Sequence, residues 1–385
     1  MLLAAAACLL PSLAPAATLP GAEATDKLIQ EHMDAAGIVG IGATIIVDGK
    51  LAWMKGYGYA DRERGTPFTP DSVMNIGSIT KTFTGVALMK AVEEGKLALD
   101  EDINTYLPFK VVNPHQPGAR ITLRHLATHT SGITDRPSVY RHTYRYAGQA
   151  VEPLGSFLKN YFAPGGSHYA AENFLNHAPG KHREYSNIAA GLAGYIVETA
   201  VGEKLDAYTK RNIFTRLGMK NSGWALADIT KGQHATLYVA QDGLTSPIAH
   251  YELTTYPDGG VRTSVFDLSR FFGALLTDGA ADGKRMLSPQ SVAALTRFQF
   301  DETNKPDNVD LKKLNSGLFW ATKYSATRVG HNGSDPGIRT QMLATADKSL
   351  AVIVFTNTSI TGPDGRRLED INQALWKLAE TLKQK

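Results

Sequence analysis

The residues with the clearest chemical potential in this chain lie at positions 77–81, with the sequence GSITK. A hydroxyl nucleophile, Ser78, stands three residues before Lys81, where a helical pattern begins. Since positions i and i+3 share a helix face, the ammonium of Lys81 is predicted to lie beside the Ser78 oxygen. A serine attacks an acyl carbon poorly unless a neighbouring base takes its proton, and a lysine held there can do so. Ser156 and Lys159 repeat the spacing, so the pattern alone proves little.

A second motif, Tyr185-Ser186-Asn187, precedes a helical run at 188–198. Beside Lys81, the Tyr185 phenol can take up the Ser78 proton and return it to the leaving group. Asn187 offers an acceptor for the lysine and a donor for a substrate carbonyl. Judged alone, the motif is equally well explained by a core tyrosine and an asparagine helix cap.

A third motif, followed by a serine, lies late in the chain: His331, Asn332, Gly333 and Ser334. Gly333 would let a strand edge approach a substrate without a side chain in the way. The N–H of Ser334 and that of Ser78 could together form an oxyanion hole. His331 is interpreted as a third proton carrier or a polar wall, and Asn332 as a hydrogen-bond donor to substrate. In isolation, a histidine at a turn explains this motif as well.

Taken in order, the three motifs resemble those of the serine β-lactamase and penicillin-binding protein superfamily. Class C-like proteins, D,D-carboxypeptidases and family VIII esterases are the most similar branches. Further similar stretches lie at 121–133 (ITLRHLATHTSGI), 185–198 and 259–268, so that the resemblance spans most of residues 40–357.

The resemblance implies an acyl-enzyme on Ser78, with Lys81 and Tyr185 as the proton-handling pair and no metal or organic cofactor. It gives His129 a scaffold role. Which group acts as the base is disputed for enzymes with a Ser-x-x-Lys nucleophile, and the sequence leaves it open between Lys81 and Tyr185. An α/β-hydrolase is disfavoured because no Gly-x-Ser-x-Gly occurs.

The third motif departs from the Lys-Thr-Gly of many β-lactamases and the His-Thr-Gly of some carboxypeptidase relatives. A histidine is largely neutral near pH 7, so His331 offers no fixed positive charge to a substrate carboxylate. Arg339 is a candidate carboxylate anchor, although an exposed strand arginine is equally ordinary. This departure favours a peptidase or esterase over a dedicated β-lactamase.

Aromatic residues crowd the segment between the first and second motifs and recur before Gly259. They either wall the substrate cleft or pack the helical part of the protein. The residues concerned are Tyr140, Tyr144, Tyr146, Phe157, Tyr161, Phe162, Tyr169, Tyr251 and Tyr256.

The elements that must position these motifs predict an α/β (α+β) fold. Two strands around an Asp48-Gly49 hairpin come first, helical spacing dominates from 97 to 235, and about three strands come last, before a helix at 367–383. The economical architecture is one antiparallel sheet built from both chain ends, flanked by helices, plus an all-helical lobe. The predicted sheet domain comprises residues 18–96 and 236–385, and the helical domain residues 97–235.

Composition and the first residues predict where the protein works. The formal net charge of +3 over 385 residues gives no indication of a nucleic-acid partner. Residues 1–17 are predicted to be a signal peptide, which implies a secreted or periplasmic protein. Cys8, the only cysteine, lies inside that segment, but the residues before it match a lipid-attachment signal poorly. No other apolar run approaches the ~20 residues of a membrane span.

The sequence therefore predicts a secreted serine hydrolase whose partner is a peptide or small-molecule substrate. D-amino-acid peptides and carboxylic esters are favoured, and the oligomeric state is left open. The alternatives are a β-lactamase, or a penicillin-binding sensor or scaffold of the same fold that does not turn over substrate.

Overall fold

The computed structural model describes residues 21–360 and 362–384; the predicted signal segment, with Cys8, lies outside this range. The helices are α1 (Ala22–Ala36), α2 (Thr80–Glu93), α3 (Leu123–Ala127), α4 (Pro137–Tyr140), α5 (Leu154–Phe162), α6 (Asn187–Val201), α7 (Leu205–Thr209), α8 (Thr215–Leu217), α9 (Val265–Leu276), α10 (Pro289–Thr296) and α11 (Gly365–Lys383). The strands are β1 (Gly40–Val47), β2 (Lys50–Asp61), β3 (Thr66–Pro67), β4 (Val73–Asn75), β5 (Tyr144–Tyr146), β6 (Ser222–Gly223), β7 (Leu237–Gln241), β8 (Leu244–Ile248), β9 (Tyr251–Leu253), β10 (Arg262–Ser264), β11 (Ala280–Ala281), β12 (Lys284–Arg285), β13 (Ala321–Lys323), β14 (Arg328–Asp335), β15 (Ile338–Thr345), β16 (Leu350–Thr356) and β17 (Thr358–Ile360).

The largest sheet joins the two ends of the chain. Its strand order is β13-β14-β15-β16-β1-β2-β3, and its neighbouring strands are antiparallel. The central pair aligns Ile41 with Thr356, so the first and last long strands lie side by side. The predicted architecture, an antiparallel sheet from both ends with flanking helices, is confirmed. The proposed domain boundaries at 96/97 and 235/236 remain predictions.

Alternation along the strands places apolar side chains on both faces of this sheet. One face of β1, with Ile41, Ala43 and Ile45, packs against α1 and α11. The opposite face contributes to a larger core that continues through α2 into the helical part of the chain. Because both faces are covered by helices, the strands can be apolar almost throughout, as in β16, which is entirely buried.

The helix that carries the first motif is the central helix of the larger core. Nearly every residue of α2 is buried, as expected for a helix that is apolar on all sides. Phe83 stacks on Phe271 of α9 with ring centroids 3.8 Å apart. A single turn of 3-10 helix, Gly77–Ile79, precedes α2 and carries Ser78. The nucleophile therefore stands on one of the most firmly packed elements of the fold.

Most predicted elements occur within a few residues of their expected bounds, with one informative exception. The hairpin at Asp48-Gly49 is present, with both residues at positive φ. Of the late strands that the sequence predicts, at 316–324, 339–346 and 350–357, the first is confined to β13, whereas β14 forms where a short apolar stretch and a turn were expected. The third motif is therefore part of a strand. Its run of glycine and polar residues lacks the apolar alternation by which strands are recognised.

The regular structure of segment 97–235 is mostly helical, with long loops between its helices and the two short strands β5 and β6. Helix α6, which begins at the second motif, packs against α2 and α3. Within residues 21–360 and 362–384, no helix is long and apolar enough to cross a membrane.

Candidate active site

The three motifs meet at one cavity of about 340 Å³, between the large sheet and the helical part of the chain. Its lining includes Ser78 and all the predicted site residues of the second and third motifs, whereas the buried Lys81 and the candidate anchor Arg339 do not line it. The lining residues are Ser78, Tyr140, Tyr144, Tyr185, Asn187, Lys323, His331, Asn332, Gly333, Ser334 and Asp335.

Lys81 is wholly buried and makes three short contacts through its Nζ atom. Nζ lies 3.0 Å from Ser78 Oγ, 2.7 Å from Asn187 Oδ1 and 2.9 Å from the carbonyl oxygen of Asp258. An ammonium would donate its three hydrogens to these three oxygens. A neutral amine would donate to two of them and accept the Ser78 hydroxyl proton. The contact predicted from the i, i+3 spacing is therefore present, and the geometry serves either protonation state.

Electrostatics favour the charged state of this lysine. Burial by itself would lower the pKa of Lys81, but Tyr185, Asp258 and Asp335 outweigh it and hold that pKa above its usual value. The Lys81 Nζ atom also lies 5.0 Å from the centroid of the Tyr185 ring, a distance at which a cation is attracted to an aromatic face.

Tyr185 stands at the mouth of the cavity, 36% exposed, against a buried histidine. The His129 ring packs on the Tyr185 ring at 4.3 Å between centroids, and its Nδ1 accepts a hydrogen bond from the Ser186 N–H. Burial, followed by Arg183 and Lys81, holds the pKa of His129 well below its usual range. A neutral, buried ring of this kind fits the scaffold role implied by the resemblance.

A carboxylate that the sequence did not reveal fixes the second motif. Asp135 accepts hydrogen bonds from Ser186 Oγ at 2.7 Å, from the Asn187 N–H at 2.7 Å and from the Ile188 N–H at 3.0 Å. The first N–H groups of a helix have no partner inside it, and a negative charge is stabilised there. Ser186, not Asn187, caps α6 through its bond from Ala189. The Asn187 side chain is therefore free to bind Lys81.

Two glycines allow β14 to cross directly over the start of α2. Gly77 has a φ of 54°, and a Cβ placed on it would lie 3.2 Å from the Ser334 nitrogen. A Cβ on Gly333 would lie 2.2 Å from the carbonyl oxygen of Ile76, a distance that no side chain tolerates. The backbone of Ser334 therefore comes next to that of the Ser78 turn, where the predicted oxyanion hole requires it.

His331 is 5% exposed and closes the cavity beside Tyr185, with the two ring centroids 6.3 Å apart. Its Nδ1 donates to the carbonyl of Asn332 at 2.7 Å, which leaves Nε2 as an acceptor. Burial, reinforced by Lys323 and Lys81, holds the pKa of His331 well below its usual range. Asn332 is half-buried, and its Oδ1 has no hydrogen-bond partner within the described residues.

The positive charge that His331 lacks is supplied by another strand. Lys323, at the end of β13, lines the same cavity. Burial, followed by Arg183, lowers the pKa of Lys323 below its ordinary value. Sequence analysis missed this residue because a lysine between a strand and a turn carries no signal until β13 is paired with β14.

Two buried carboxyl groups lie at the opposite end of the cavity, and neither was singled out from the sequence. Asp335 Oδ1 accepts a hydrogen bond from Tyr144 at 2.6 Å, and Asp258 Oδ1 accepts one from Tyr140 at 3.0 Å. Burial raises the pKa of Asp335 to about 6 and that of Asp258 to about 7. Ionic groups of both signs therefore border the nucleophile.

Arg339, the candidate carboxylate anchor, is directed elsewhere. Its guanidinium donates to the carbonyl oxygens of Asp335, Ile338 and Ile360, and the residue does not line the cavity. Lys323 is the better placed cation.

The aromatic residues divide between the two roles considered. Tyr140 and Tyr144 line the cavity, whereas Phe157, Tyr161 and Phe162 belong to the hydrophobic core. Tyr251 is buried behind Tyr144, with ring centroids 5.3 Å apart, and Tyr256 donates a hydrogen bond to Glu198.

The repeated spacing at Ser156 and Lys159 lacks the surroundings of Ser78 and Lys81, because both residues are exposed on α5.

Away from the cavity, His177, His182 and Asp307 bring candidate metal-ligating atoms within 4.8 Å of one another. Asp307 already accepts a hydrogen bond from His182 Nδ1 at 2.7 Å, which explains the cluster without an ion.

The chain is similar to known proteins over most of its length. The Beta-lactamase family profile matches residues 25–375. Protein flp of Staphylococcus aureus (strain N315) is 23% identical over 341 residues, which cover 86% of this chain and 62% of that protein. This chain thus spans less than two thirds of the length of that relative. An uncharacterised protein of Mycobacterium tuberculosis (strain CDC 1551 / Oshkosh) is 30% identical over 296 residues, 72% of each chain.

Three solved structures illustrate the similarity of fold. The octameric penicillin-binding protein homologue from Pyrococcus abyssi has a TM-score of 0.72 and 24% identity, covering 92% of this chain and 77% of that one. EstCE1, a hydrolase with promiscuous acyltransferase activity, has a TM-score of 0.71 and 20% identity, covering 92% and 98%. The D-amino acid amidase from Ochrobactrum anthropi SV3 has a TM-score of 0.71 and 21% identity, covering 94% and 99%.

At these identities the structural matches establish the fold, whereas the profile match extends over most of the sequence. The resemblance first suggested by the three motifs is thereby confirmed, and the chain belongs to the beta-lactamase family.

Proposed function

We propose that the protein is a serine hydrolase that cleaves amide or ester bonds through an acyl-enzyme on Ser78. The observation that carries the proposal is the 3.0 Å contact between Lys81 Nζ and Ser78 Oγ at the floor of an open cavity. D-amino-acid peptides and carboxylic esters are the favoured substrates. The amidase and the esterase-like hydrolase of the same fold support this choice by analogy.

In the proposed mechanism, Ser78 Oγ attacks the substrate carbonyl carbon while its proton passes to the oxygen of Tyr185, which acts as a phenolate beside the Lys81 ammonium. The raised pKa of Lys81 makes the ammonium its resting form, so Lys81 acts by stabilising negative charge on Ser78 and Tyr185 rather than as the first base. Tyr185 then returns the proton to the leaving nitrogen or oxygen as the carbonyl bond to it breaks. Water attacks the ester so formed and releases the acid, with the proton returned to Ser78.

The remaining cavity residues position the substrate. The N–H groups of Ser78 and Ser334 stabilise the oxyanion, a contribution usually worth about 10²- to 10³-fold in rate per donor. Since Asn187 Oδ1 is engaged by Lys81, its amide N–H₂ remains to donate to substrate. The edge of β14 at Asn332 and Gly333, which β13 leaves unpaired and which lines the cavity, receives an extended substrate backbone. His331, neutral with Nε2 as acceptor, serves as a secondary proton acceptor or polar wall.

The test is turnover of p-nitrophenyl butyrate, followed by intact-mass measurement after incubation with a penicillin. Ser78→Ala is expected to reduce ester turnover by at least about 10³-fold, as for other catalytic serines, and to abolish any mass adduct. Ser156→Ala is the matched control, because it removes the serine of the same Ser-x-x-Lys spacing on an exposed helix. Equal loss in both variants, or none in Ser78→Ala, would refute the proposal.

Two alternatives remain as outcomes of that experiment. Lys323 supplies a cation in the cavity, and this favours substrates with a carboxylate, including β-lactams. Fast consumption of penicillin would identify a β-lactamase. A stoichiometric adduct without turnover of ester or penicillin would identify a sensor.

The export of the protein is also part of the proposal. Cleavage after residue 17 would leave a mature chain without cysteine. The N-terminal sequence of the protein recovered from the periplasm or medium tests this, and recovery of the intact chain from the cytoplasm alone would contradict it.

A further inference from the structure

The end of β14 places in the catalytic cavity a carboxylate that forms no salt bridge with another described residue, although Lys81 and Arg339 act on it electrostatically. Asp335 is half-buried and lines the same cavity as Ser78. Its Oδ1 is held by the Tyr144 hydroxyl, while the neighbouring Arg339 donates to backbone carbonyls instead. Within residues 21–360 and 362–384, Asp335 forms no ion pair with a lysine, arginine or histidine. An unpaired carboxylate at the wall of a cavity is unfavourable unless a ligand brings the opposite charge.

The surroundings of Asp335 are suited to a cation. Tyr140 and Tyr144 line the cavity beside it, with ring centroids 6.0 Å apart and planes nearly perpendicular at 85°. The face of an aromatic ring attracts an ammonium group, and phenol oxygens accept its hydrogen bonds. A carboxylate flanked by two tyrosine rings is therefore chemically complementary to a primary amine.

A second carboxyl group makes this end of the cavity still less hospitable to anions. Asp258 is 2% exposed and lies behind Tyr140, whose hydroxyl binds its Oδ1. Its Oδ2 has no hydrogen-bond partner among the described residues. A substrate carboxylate placed here would face Asp335 directly, with Asp258 behind it. Because like charges repel, this end of the cavity disfavours a carboxylate.

The direction of the substrate follows from the proton transfers. Tyr185 must return a proton to the leaving group, so the leaving group lies at the end of the cavity formed by Tyr185 and His331. Asp335 lies four residues beyond His331 on the same strand, roughly 13 Å away at ~3.3 Å per residue. The backbone of Ser334, proposed to bind the carbonyl oxygen, lies between them. Asp335 therefore faces the acyl part of the substrate.

We propose that Asp335, oriented by Tyr144, binds an ammonium group on the acyl part of the substrate. The enzyme would then prefer aminoacyl amides and esters to their N-acylated or amine-free counterparts. This inference rests on the proposed function, because it names the acyl donors of the Ser78 site. A charge-assisted hydrogen bond of this kind is expected to raise kcat/KM by about 10- to 100-fold.

The kinetic test compares three 4-nitroanilides at pH 7: those of D-phenylalanine, of N-acetyl-D-phenylalanine and of 3-phenylpropanoic acid. An α-amino group with a pKa of about 8 is mostly charged at this pH. The wild-type protein is expected to favour the first substrate over the third by about 10- to 100-fold in kcat/KM. In Asp335→Asn, which preserves an acceptor for Tyr144, this ratio should fall to near unity.

Tyr144→Phe is the second variant, since it keeps the ring and removes the hydroxyl that orients Asp335. In this variant the kcat/KM ratio of the amine-bearing to the amine-free anilide should fall only partly, by about three- to tenfold. Asp301→Asn removes the same charge from an exposed loop and should leave the ratio unchanged. Suppose that the wild-type protein hydrolyses p-nitrophenyl butyrate through Ser78 but shows no preference for the amine-bearing anilide. The amine site would then be refuted, while the proposed hydrolase function would stand.

Binding gives a measurement that does not depend on turnover. Calorimetric titration of the Ser78→Ala protein with D-phenylalanine amide should show binding at least about tenfold tighter than with 3-phenylpropanamide. Adding Asp335→Asn should abolish the difference. Equal binding of the two amides to Ser78→Ala would refute the amine site, even if every ester and anilide proved inert and the proposed hydrolase activity itself had failed.

Discussion

The two ends of the catalytic cavity carry opposite charges and are built differently. At one end Lys323 lines the cavity beside the neutral His331, with Arg183 nearby. At the other end Asp335 lies between tyrosine rings, with Asp258 behind it. Both lining charges belong to one β-hairpin, β13–β14, so the same short segment makes the cavity positive on the leaving-group side and negative on the acyl side.

The difference between the two ends shows that the charge of a site cannot be read from one motif alone. The neutral His331 predicted a cavity with no fixed cation, yet the neighbouring strand supplies Lys323. Substrate choice is therefore governed by the polarity of the whole cavity. A molecule with an amine on its acyl part and an acidic or neutral leaving part matches that polarity, and the following variants test it.

The largest loss of activity is expected from substitution of Tyr185, because its proton transfer is needed whichever substrate the two ends of the cavity bind. Tyr185→Phe should lower kcat/KM by about 10²- to 10⁴-fold, because it removes the proposed proton carrier. The loss should be similar for amine-bearing and amine-free anilides. Steady-state kinetics on both substrates checks this, with Tyr169→Phe as the control outside the cavity lining. A loss confined to one substrate would mean that Tyr185 acts in recognition instead.

An intermediate effect is expected from the positive end. Lys323→Met should slow acylation by a penicillin, which carries a carboxylate, by about tenfold, with a much smaller effect on p-nitrophenyl butyrate. The fold-change in acylation rate is obtained by following adduct formation with intact-mass measurement. Lys312→Met, an exposed lysine on a nearby loop, is the charge-matched control. If Asp335→Asn slowed penicillin acylation as much as Lys323→Met does, the assigned polarity would be wrong.

The smallest effect is a dependence of substrate preference on pH. Asp335 is faced by Tyr144 from β5, Lys81 from α2, Arg339 from β15 and Asp258 from the turn before β10. Burial raises the pKa of Asp335 to about 6, so the carboxylate is lost as the pH falls through that value. The kcat/KM ratio of amine-bearing to amine-free anilide should fall to about half near pH 6 relative to its value at pH 7, where the substrate amine is still mostly charged.

A ratio is used because pH effects on the chemical step, which both substrates share, cancel in it. In Asp335→Asn the ratio should be flat between pH 5 and 7. A wild-type ratio that is also flat over this interval would contradict the assignment of Asp335 as the amine-binding group.

The sequence was sufficient where a local pattern determines the structure. The Ser78–Lys81 contact follows from helical periodicity alone, and the hairpin at Asp48-Gly49 from the need for positive φ at both positions. The order of the three motifs then indicated the family, and the order of predicted strands and helices indicated the antiparallel sheet built from both chain ends.

The sequence was insufficient where function depends on how distant segments pair. Asp135, Lys323 and Asp335 are isolated charged residues in loops or at strand ends, and nothing in their neighbourhood distinguishes them from other surface charges. The pairing of β13 with β14, and the crossing of β14 over the start of α2, bring Lys323 and Asp335 to the cavity, whereas Asp135 is held at the start of α6. Arg339 shows the converse, since its position after the third motif suggested a role that its contacts with backbone carbonyls do not support.

The pairing of β1 with β16 also sets the order in which the protein can fold. Ile41 lies opposite Thr356, so nearly the whole described chain must be available before the central strands can join. Contacts between such distant residues carry a large loop-closure cost and slow folding. The Ser78 turn depends on β14 crossing it at Gly333, and β14 reaches that place only as part of this sheet. A chain still emerging from the ribosome would therefore have its nucleophile long before it had an active site.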